Sequence, residues 1–262
     1  MLHYTKHILN PQAEWVTFIH GAGGSSSIWY KQLADFKKHF NVLLIDLRGH
    51  GHSQNPIYEQ MDAYTFEGIG NEIIEVLDYL QIKTTHFIGI SLGTIIIQDI
   101  TRRFPEKARS MVMGGAVMKL NLRGQVLMHL GIFLQKIVPF IWLYRLFALI
   151  IMPRKKHQKS RNIFVREAKR MYEKEFKRWF TLAKEINPLL AFFRKNPINI
   201  PTLYLMGSED FMFLPSINKL VKQQAVARLE IIPKCGHIVN IEKAAAFNAS
   251  AIRFLKESVV LA

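Results

Sequence analysis

Gly89-Ile90-Ser91-Leu92-Gly93 sets a serine between two glycines in the spacing G-x-S-x-G. An apolar run that reads as a strand, His86-Phe87-Ile88-Gly89, leads straight into Ser91. Residues 92–104 have helical character, and Pro105 lies just beyond. Strand, tight turn and helix is the setting in which this spacing builds a nucleophile elbow. The turn is so sharp that side chains two positions either side of the serine would collide, hence the glycines. It lifts Oγ above the carboxyl end of the sheet, where open α/β sheets bind ligands. The N–H of Leu92 then opens a helix, where negative charge is stabilised. Earlier in the chain, His20-Gly21-Ala22-Gly23-Gly24 ends another strand-like run. Its small residues let backbone approach a substrate oxygen, which makes the Ala22 N–H the second donor of an oxyanion hole with Leu92.

A serine of this kind needs a base, and the base needs an orienting acid. Among ten histidines, His237 is singled out by its place after Gly236, in the turn between the last strand and the last helix. Met206-Gly207-Ser208-Glu209-Asp210 closes the preceding strand and offers two carboxylates, Glu209 and Asp210. Cys235, the single cysteine, reads as a buried apolar residue rather than a second nucleophile.

The elements that must position these groups alternate. Strand-like runs lie at 15–20, 41–46, 86–89, 110–113, 201–206 and 229–232. Helical spacing marks 65–80, 92–104, 215–224 and about 242–257. The alternation predicts an α/β fold, a doubly wound and mostly parallel sheet covered on both faces. It stops between Lys119 and Pro197, where no strand signal occurs. The expected organisation is therefore a core of residues 1–118 and 198–262 interrupted by a helical, basic cap at 119–197.

That insertion holds 18 Lys and Arg against 4 Asp and Glu, and the rest of the chain 17 against 16, so it carries nearly all of the net charge of +15. Residues 126–152 are almost wholly apolar, broken by His129, Gln135, Lys136, Pro139 and Arg145. Pro139 predicts two helices of about 13 residues rather than one span of about 20. A basic run, Arg154 to Arg161, follows. Then comes an amphipathic stretch with Phe164, Ala168, Met171, Phe176, Trp179 and Ala183 on one face. The apolar residues are expected to pack on the core as a cap with the charges solvated, and the alternative is that the basic run also meets an anionic membrane surface peripherally. No nucleic-acid motif accompanies the charge. There is no C-x-x-C pair or Cys/His cluster, so no structural zinc is expected. The first ten residues lack a signal-peptide apolar core, and a cytoplasmic setting is the expectation.

The chain resembles the α/β-hydrolase superfamily, in particular its cap-bearing serine members. The resemblance rests on the His20-Gly21 turn with Trp29 downstream, Asp46-Leu47-Arg48-Gly49-His50-Gly51-His52-Ser53, the elbow at Ser91, Asp210, and Gly236-His237 with Glu242 beyond, spanning residues 15 to 248. It implies Ser91, Asp210 and His237 as the catalytic triad, Ala22 and Leu92 as oxyanion donors, and a structural role for residues 46–53. It implies hydrolysis of a carboxylic ester with an apolar acyl or alcohol part, through an acyl-serine and with no metal or organic cofactor. C–C bond hydrolase or lyase chemistry, and a non-catalytic ligand receptor, are the alternatives on the same fold. Thr94 stands where many members have glycine, a difference expected to bear on helix packing. Ala244 replaces a common proline. The short N-terminal part leaves room for one edge strand fewer.

Overall fold

The structure is a computed structural model that describes residues 1–54, 64–120, 122–134 and 137–260. Among these residues one sheet of seven strands forms: β1 (Tyr4–His7), β2 (Trp15–Ile19), β3 (Asn41–Ile45), β4 (Thr85–Ile90), β5 (Ala108–Gly114), β6 (Thr202–Gly207) and β7 (Ala227–Ile232). The order is β1-β3-β2-β4-β5-β6-β7, parallel throughout except for β1, which runs antiparallel to β3. Helices α1 (Tyr30–Phe36), α2 (Phe66–Tyr79) and α3 (Leu92–Arg103) accompany the first five strands. Helices α4 (Leu122–Leu134), α5 (Phe140–Ile151), α6 (Gln158–Ala168), α7 (Glu173–Thr181) and α8 (Ala183–Lys195) lie between β5 and β6. Helices α9 (Leu214–Val221), α10 (Val239–Glu242) and α11 (Ala244–Val260) complete the chain.

Strand side chains alternate between two cores. Val42 and Leu44 of β3 join Phe18, Ile88, Phe36 and Phe247 on one face, under α1 and α11. Leu43 and Ile45 join Phe87, Ile73 and Ile100 on the other, under α2 and α3. Burial on both faces is why these strands read as unbroken apolar runs. The α2 helix begins where Thr65 Oγ1 accepts the N–H of Gly68, a side-chain cap.

The strand β1 was not legible in the sequence. Its four residues are half-buried or exposed and pair along one side only, so the short N-terminal part does supply an edge strand. From β2 the chain moves outward to β3, then crosses back to place β4 on the other side of β2. This reversal makes the carboxyl ends of β2 and β4 the topological switch point, where such sheets bind ligands.

Between β5 and β6 the segment is helical, as expected. Helix α4 ends at Leu134 and α5 starts directly after Pro139, so the apolar run is two helices of 13 and 12 residues. The predicted breaks at Gln135 and Lys136 lie outside the described residues. Among the described residues no helix is long and apolar enough to cross a membrane. The amphipathic stretch is not one helix. It divides into α6, α7 and α8, with a turn at Lys169–Arg170.

Candidate active site

Ser91 follows β4 directly and has φ +52° and ψ −118°, a conformation that costs a non-glycine residue strain. The surroundings hold it there. A Cβ on Gly93 would lie 2.4 Å from the carbonyl oxygen of Ile19, and one on Gly89 would lie 2.9 Å from the Gly93 carbonyl carbon, so glycine is required at both positions. Ser91 N–H donates to Gly114 O at 3.1 Å, tying the elbow to β5. Thr94 does more than pack its helix. Its hydroxyl donates to Ser91 O at 2.6 Å and accepts Val117 N–H at 3.3 Å.

His237 reaches the elbow from the turn after β7. Its Nε2 lies 2.9 Å from Ser91 Oγ, and its Nδ1 lies 2.7 Å from Asp210 Oδ2. A carboxylate only accepts, so Nδ1 carries the hydrogen and the Nε2 lone pair faces the serine hydroxyl. Both partners are fully buried, Ser91 is half-buried, and Asp210 Oδ1 accepts the Phe213 N–H at 3.2 Å. Gly207 and Gly115 permit this approach. A Cβ on Gly207 would lie 2.1 Å from Gly236 O, and one on Gly115 would lie 2.3 Å from His237 O.

The other carboxylate, Glu209, points away from the imidazole. It binds the basic run of the insertion: Arg154 Nη1 at 2.9 Å, His157 Nε2 at 3.0 Å, and Lys156. The Lys156 hydrogen bond first, then those groups, hold its carboxyl below the usual range. Three members of the basic run are therefore docked on the core. Burial pushes the Cys235 thiol up to about 12, so it is not a thiolate at neutral pH.

The loop after β2 lies against the elbow. A Cβ on Gly21 would be 3.3 Å from Ser91 Cβ, and Gly23 has φ +64°. Two buried histidines fix it. His20 Nδ1 donates to Gly21 O at 2.8 Å while its Nε2 accepts Leu47 N–H at 3.0 Å. His50 Nδ1 donates to Arg48 O and its Nε2 accepts Gly23 N–H, both at 3.0 Å. Burial lowers both pKa values, that of His50 to about 3, so both stay neutral and keep these tautomers. Asp46 completes the support by accepting Ser26 N–H at 2.6 Å and His52 N–H at 2.9 Å. Burial raises its carboxyl, and the bonds from His52 and Ser26 outweigh burial and leave it below the usual range. The 46–53 segment thus braces the loop after β2. Leu92, the first residue of α3, has no acceptor for its N–H within the helix. Among the described residues no hydrogen bond is made by the N–H of Ala22 or of Leu92.

A cavity of about 180 Å³ opens beside this loop. Ala22, Gly23 and Leu92 form its floor, and Leu134, Leu143, Phe147, Met171, Phe176 and Leu182 are among its walls. The two polar side chains in the lining are already engaged: Tyr144 Oη donates to Ala22 O, and Trp179 Nε1 donates to Arg48 O at 2.9 Å. A smaller cavity of about 30 Å³ lies against Ser91 itself, between Ile28, Phe164 and Ile238. Sequence reasoning missed Tyr144, which both lines the larger cavity and grips the loop after β2 at Ala22. Its signal was faint, one hydroxyl in an apolar run.

The insertion is fastened to the core by buried polar contacts. Glu167 accepts from Ser25 and Ser27 at 3.1 and 3.0 Å. Glu175 accepts from Tyr64 and pairs with Arg178, while its side chain fills the space that a Cβ on Gly49, at φ +73°, would take.

The model of the family described as alpha/beta hydrolase fold matches residues 14–244. Over 273 aligned residues the chain is 26% identical to an Acinetobacter baylyi protein with the provisional name carbamate hydrolase RutD, covering 94% of each. Its structure is similar to that of a hydrolase from Oleispira antarctica, with a TM-score of 0.82 at 17% identity over 97% of this chain and 94% of the other. It is also similar to the enol-lactonase of Burkholderia xenovorans LB400, with a TM-score of 0.79 at 22% identity over 97% and 96%. With 231 matched residues in the family's span, a parallel sheet wound both ways and a serine on the sharp turn after β4, the chain belongs to the α/β-hydrolase family.

Proposed function

We propose that the protein is a serine hydrolase that cleaves carboxylic esters with an apolar acyl or alcohol part, using Ser91, His237 and Asp210. The observation that carries this reading is the unbroken line of hydrogen bonds from Asp210 through His237 to Ser91, ending beside an apolar cavity. His237 Nε2 takes the proton of Ser91 Oγ as the oxygen attacks the ester carbonyl. The carbonyl oxygen becomes an oxyanion that accepts from Ala22 N–H and Leu92 N–H. The tetrahedral adduct collapses, the C–O bond to the alcohol breaks, and His237 returns the proton to the departing alkoxide. Water then attacks the acyl-Ser91 by the same route, and the acid leaves.

The helices α4 to α8 act in this reading as a cap that selects the substrate. Among the described residues no cationic side chain lines the larger cavity, so it offers a substrate carboxylate no counter-ion. An enol lactone and a carbamate are both attacked at a carbonyl, so the named relatives fit the same chemistry. The cavity is what directs this chain to hydrocarbon.

A series of p-nitrophenyl esters tests the reading. Each methylene buried contributes about 0.8 kcal/mol, so kcat/KM should rise about fourfold per methylene from acetyl to medium chains. Leu134→Trp should narrow the cavity and cut the longer esters while sparing the acetate. A flat profile would remove the apolar specificity. A protein that turns over no ester and takes no fluorophosphonate label, yet binds an apolar ligand, would be the receptor instead.

A further inference from the structure

Helices α4 and α5 turn large apolar side chains to solvent. Val126, Leu130 and Phe133 lie on one face of α4, and Trp142, Leu146 and Leu149 on one face of α5. Phe133 is 68% exposed, Trp142 61%, and Ile137, between the helices, 75%. The opposite face of α5 is also apolar, with Leu143, Tyr144, Ala148 and Ile151 buried. A helix that is apolar all round is ordinarily covered on all sides. Here one side meets the cavity and the other is bare, and a contiguous bare patch of this kind marks a contact surface.

Two further observations say what covers it. The first is continuity with the site: Leu130 and Leu146 belong both to the exposed face and to the wall of the larger cavity. Hydrocarbon could pass between α4 and α5 to the loop after β2 without crossing water. The second is charge. Of the insertion's four carboxylates, Glu167 and Glu175 are buried in its contacts and Glu173 is paired with Lys177 at 2.8 Å. Its outer surface is therefore cationic. Arg145 sits on the same face of α5, 5.7 Å from the Trp142 ring, and Lys155 and Lys159 are exposed just beyond that helix. A second copy of the chain would bring the same cations face to face, whereas an anionic lipid surface complements both the charge and the apolar side chains.

We propose that the α4–α5 face docks on an anionic lipid bilayer, with Phe133, Ile137, Trp142 and Leu149 entering the headgroup boundary and Arg145, Lys155 and Lys159 on the lipid phosphates. The contact keeps Lys155 and Lys159 of the basic run and adds the bare apolar face, while Arg154 and Lys156 are held by Glu209. It is peripheral, the helices lying on the surface rather than across it. The inference concerns binding and stands apart from the proposed hydrolysis.

Flotation of the full chain with phosphatidylcholine vesicles, with and without phosphatidylglycerol, is the test. The expected result is co-flotation with the anionic vesicles at low salt, loss of binding as salt rises, and little binding to the neutral ones. Lipids brominated on their acyl chains should quench the tryptophan emission of the wild type much more than that of Trp142→Ser. Phe133→Ser combined with Trp142→Ser should abolish flotation, and Lys155→Gln with Lys159→Gln should weaken it by about thirtyfold. All four residues are exposed and outside both cavities, so circular dichroism and short-ester turnover should match the wild type. Binding is scored by flotation, so an inactive protein leaves the test intact. Absence of flotation with anionic vesicles at low salt would overturn the proposal, as would unchanged flotation of the Phe133/Trp142 variant. A concentration-dependent dimer that this variant abolishes, without vesicle binding, would overturn it and give the face to a second copy.

Discussion

In the α/β core, residues 1–118 and 198–262, 17 Lys and Arg stand against 16 Asp and Glu, and the largest apolar side chains lie between sheet and helices. In residues 119–197 the ratio is 18 to 4, and Phe133, Ile137 and Trp142 face outward. The core buries hydrocarbon on both sides of a sheet, which leaves its rim free to hold three side chains in hydrogen-bonding register. The insertion's apolar residues line a cavity within and remain bare without. Two of its four carboxylates face inward: Glu167 and Glu175 hold it to Ser25, Ser27 and Tyr64. In the proposed function this contrast divides the work, with bond-making in the core and substrate choice in the insertion.

The sharpest way to break that division is to remove the core's nucleophile. Ser91→Ala should lower kcat by about 10⁶ and abolish fluorophosphonate labelling for every acyl chain, while vesicle flotation stays as in the wild type. Residual turnover near the wild-type rate would place the chemistry elsewhere.

Glu209 and Asp210, adjacent in the chain, serve the two regions separately. Asp210→Asn should cost about 10⁴ in kcat, because the imidazole loses its tautomer control. Glu209→Gln loosens the hold on Arg154 and Lys156 and should cost a short ester severalfold at most. Equal losses in the two variants would mean that the insertion's attachment and the triad are one device.

Stability offers a third test. Removing one member of a buried ion pair costs about 3–5 kcal/mol, so Glu175→Ala should leave Arg178 without its carboxylate, lower the urea midpoint and free the insertion from Tyr64. Limited proteolysis should then cut within 119–197 before the core. Simultaneous cleavage of both parts would show them to unfold as one unit.

A fourth test is the acid side of the stability curve. His50 has a pKa lowered to about 3 by burial, against about 6.5 when unfolded, so between those values the unfolded chain binds more protons. Its contribution is therefore full above about pH 6.5 and is lost as pH falls toward 3, at up to about 1.4 kcal/mol per pH unit. His20, lowered in the same sense, adds to the slope. His50→Gln should flatten the dependence of the urea midpoint on pH in that window. An unchanged slope would mean that another group carries it.

Much of this was legible in the residues themselves, because the constraints that fix it are local. A serine forced to φ +52° between Gly89 and Gly93 leaves its mark as a spacing, and strands buried on both faces leave theirs as unbroken apolar runs. The fold class, the sharp turn at Ser91, the turn that carries His237 and the break at Pro139 followed from such marks. The edge strand β1 did not, since four half-exposed residues paired on one side carry no period. The choice between Glu209 and Asp210 needed the geometry as well. Neighbouring side chains leave the backbone in different directions, and the positions of Arg154, Lys156 and His237 decide which each carboxylate meets. The same holds for α4 and α5. An amphipathic helix announces its buried face by its period, but a helix apolar all round announces none. Which side lines the cavity, with Tyr144 on the loop after β2, and which side is left bare is set by how the helices pack on the core.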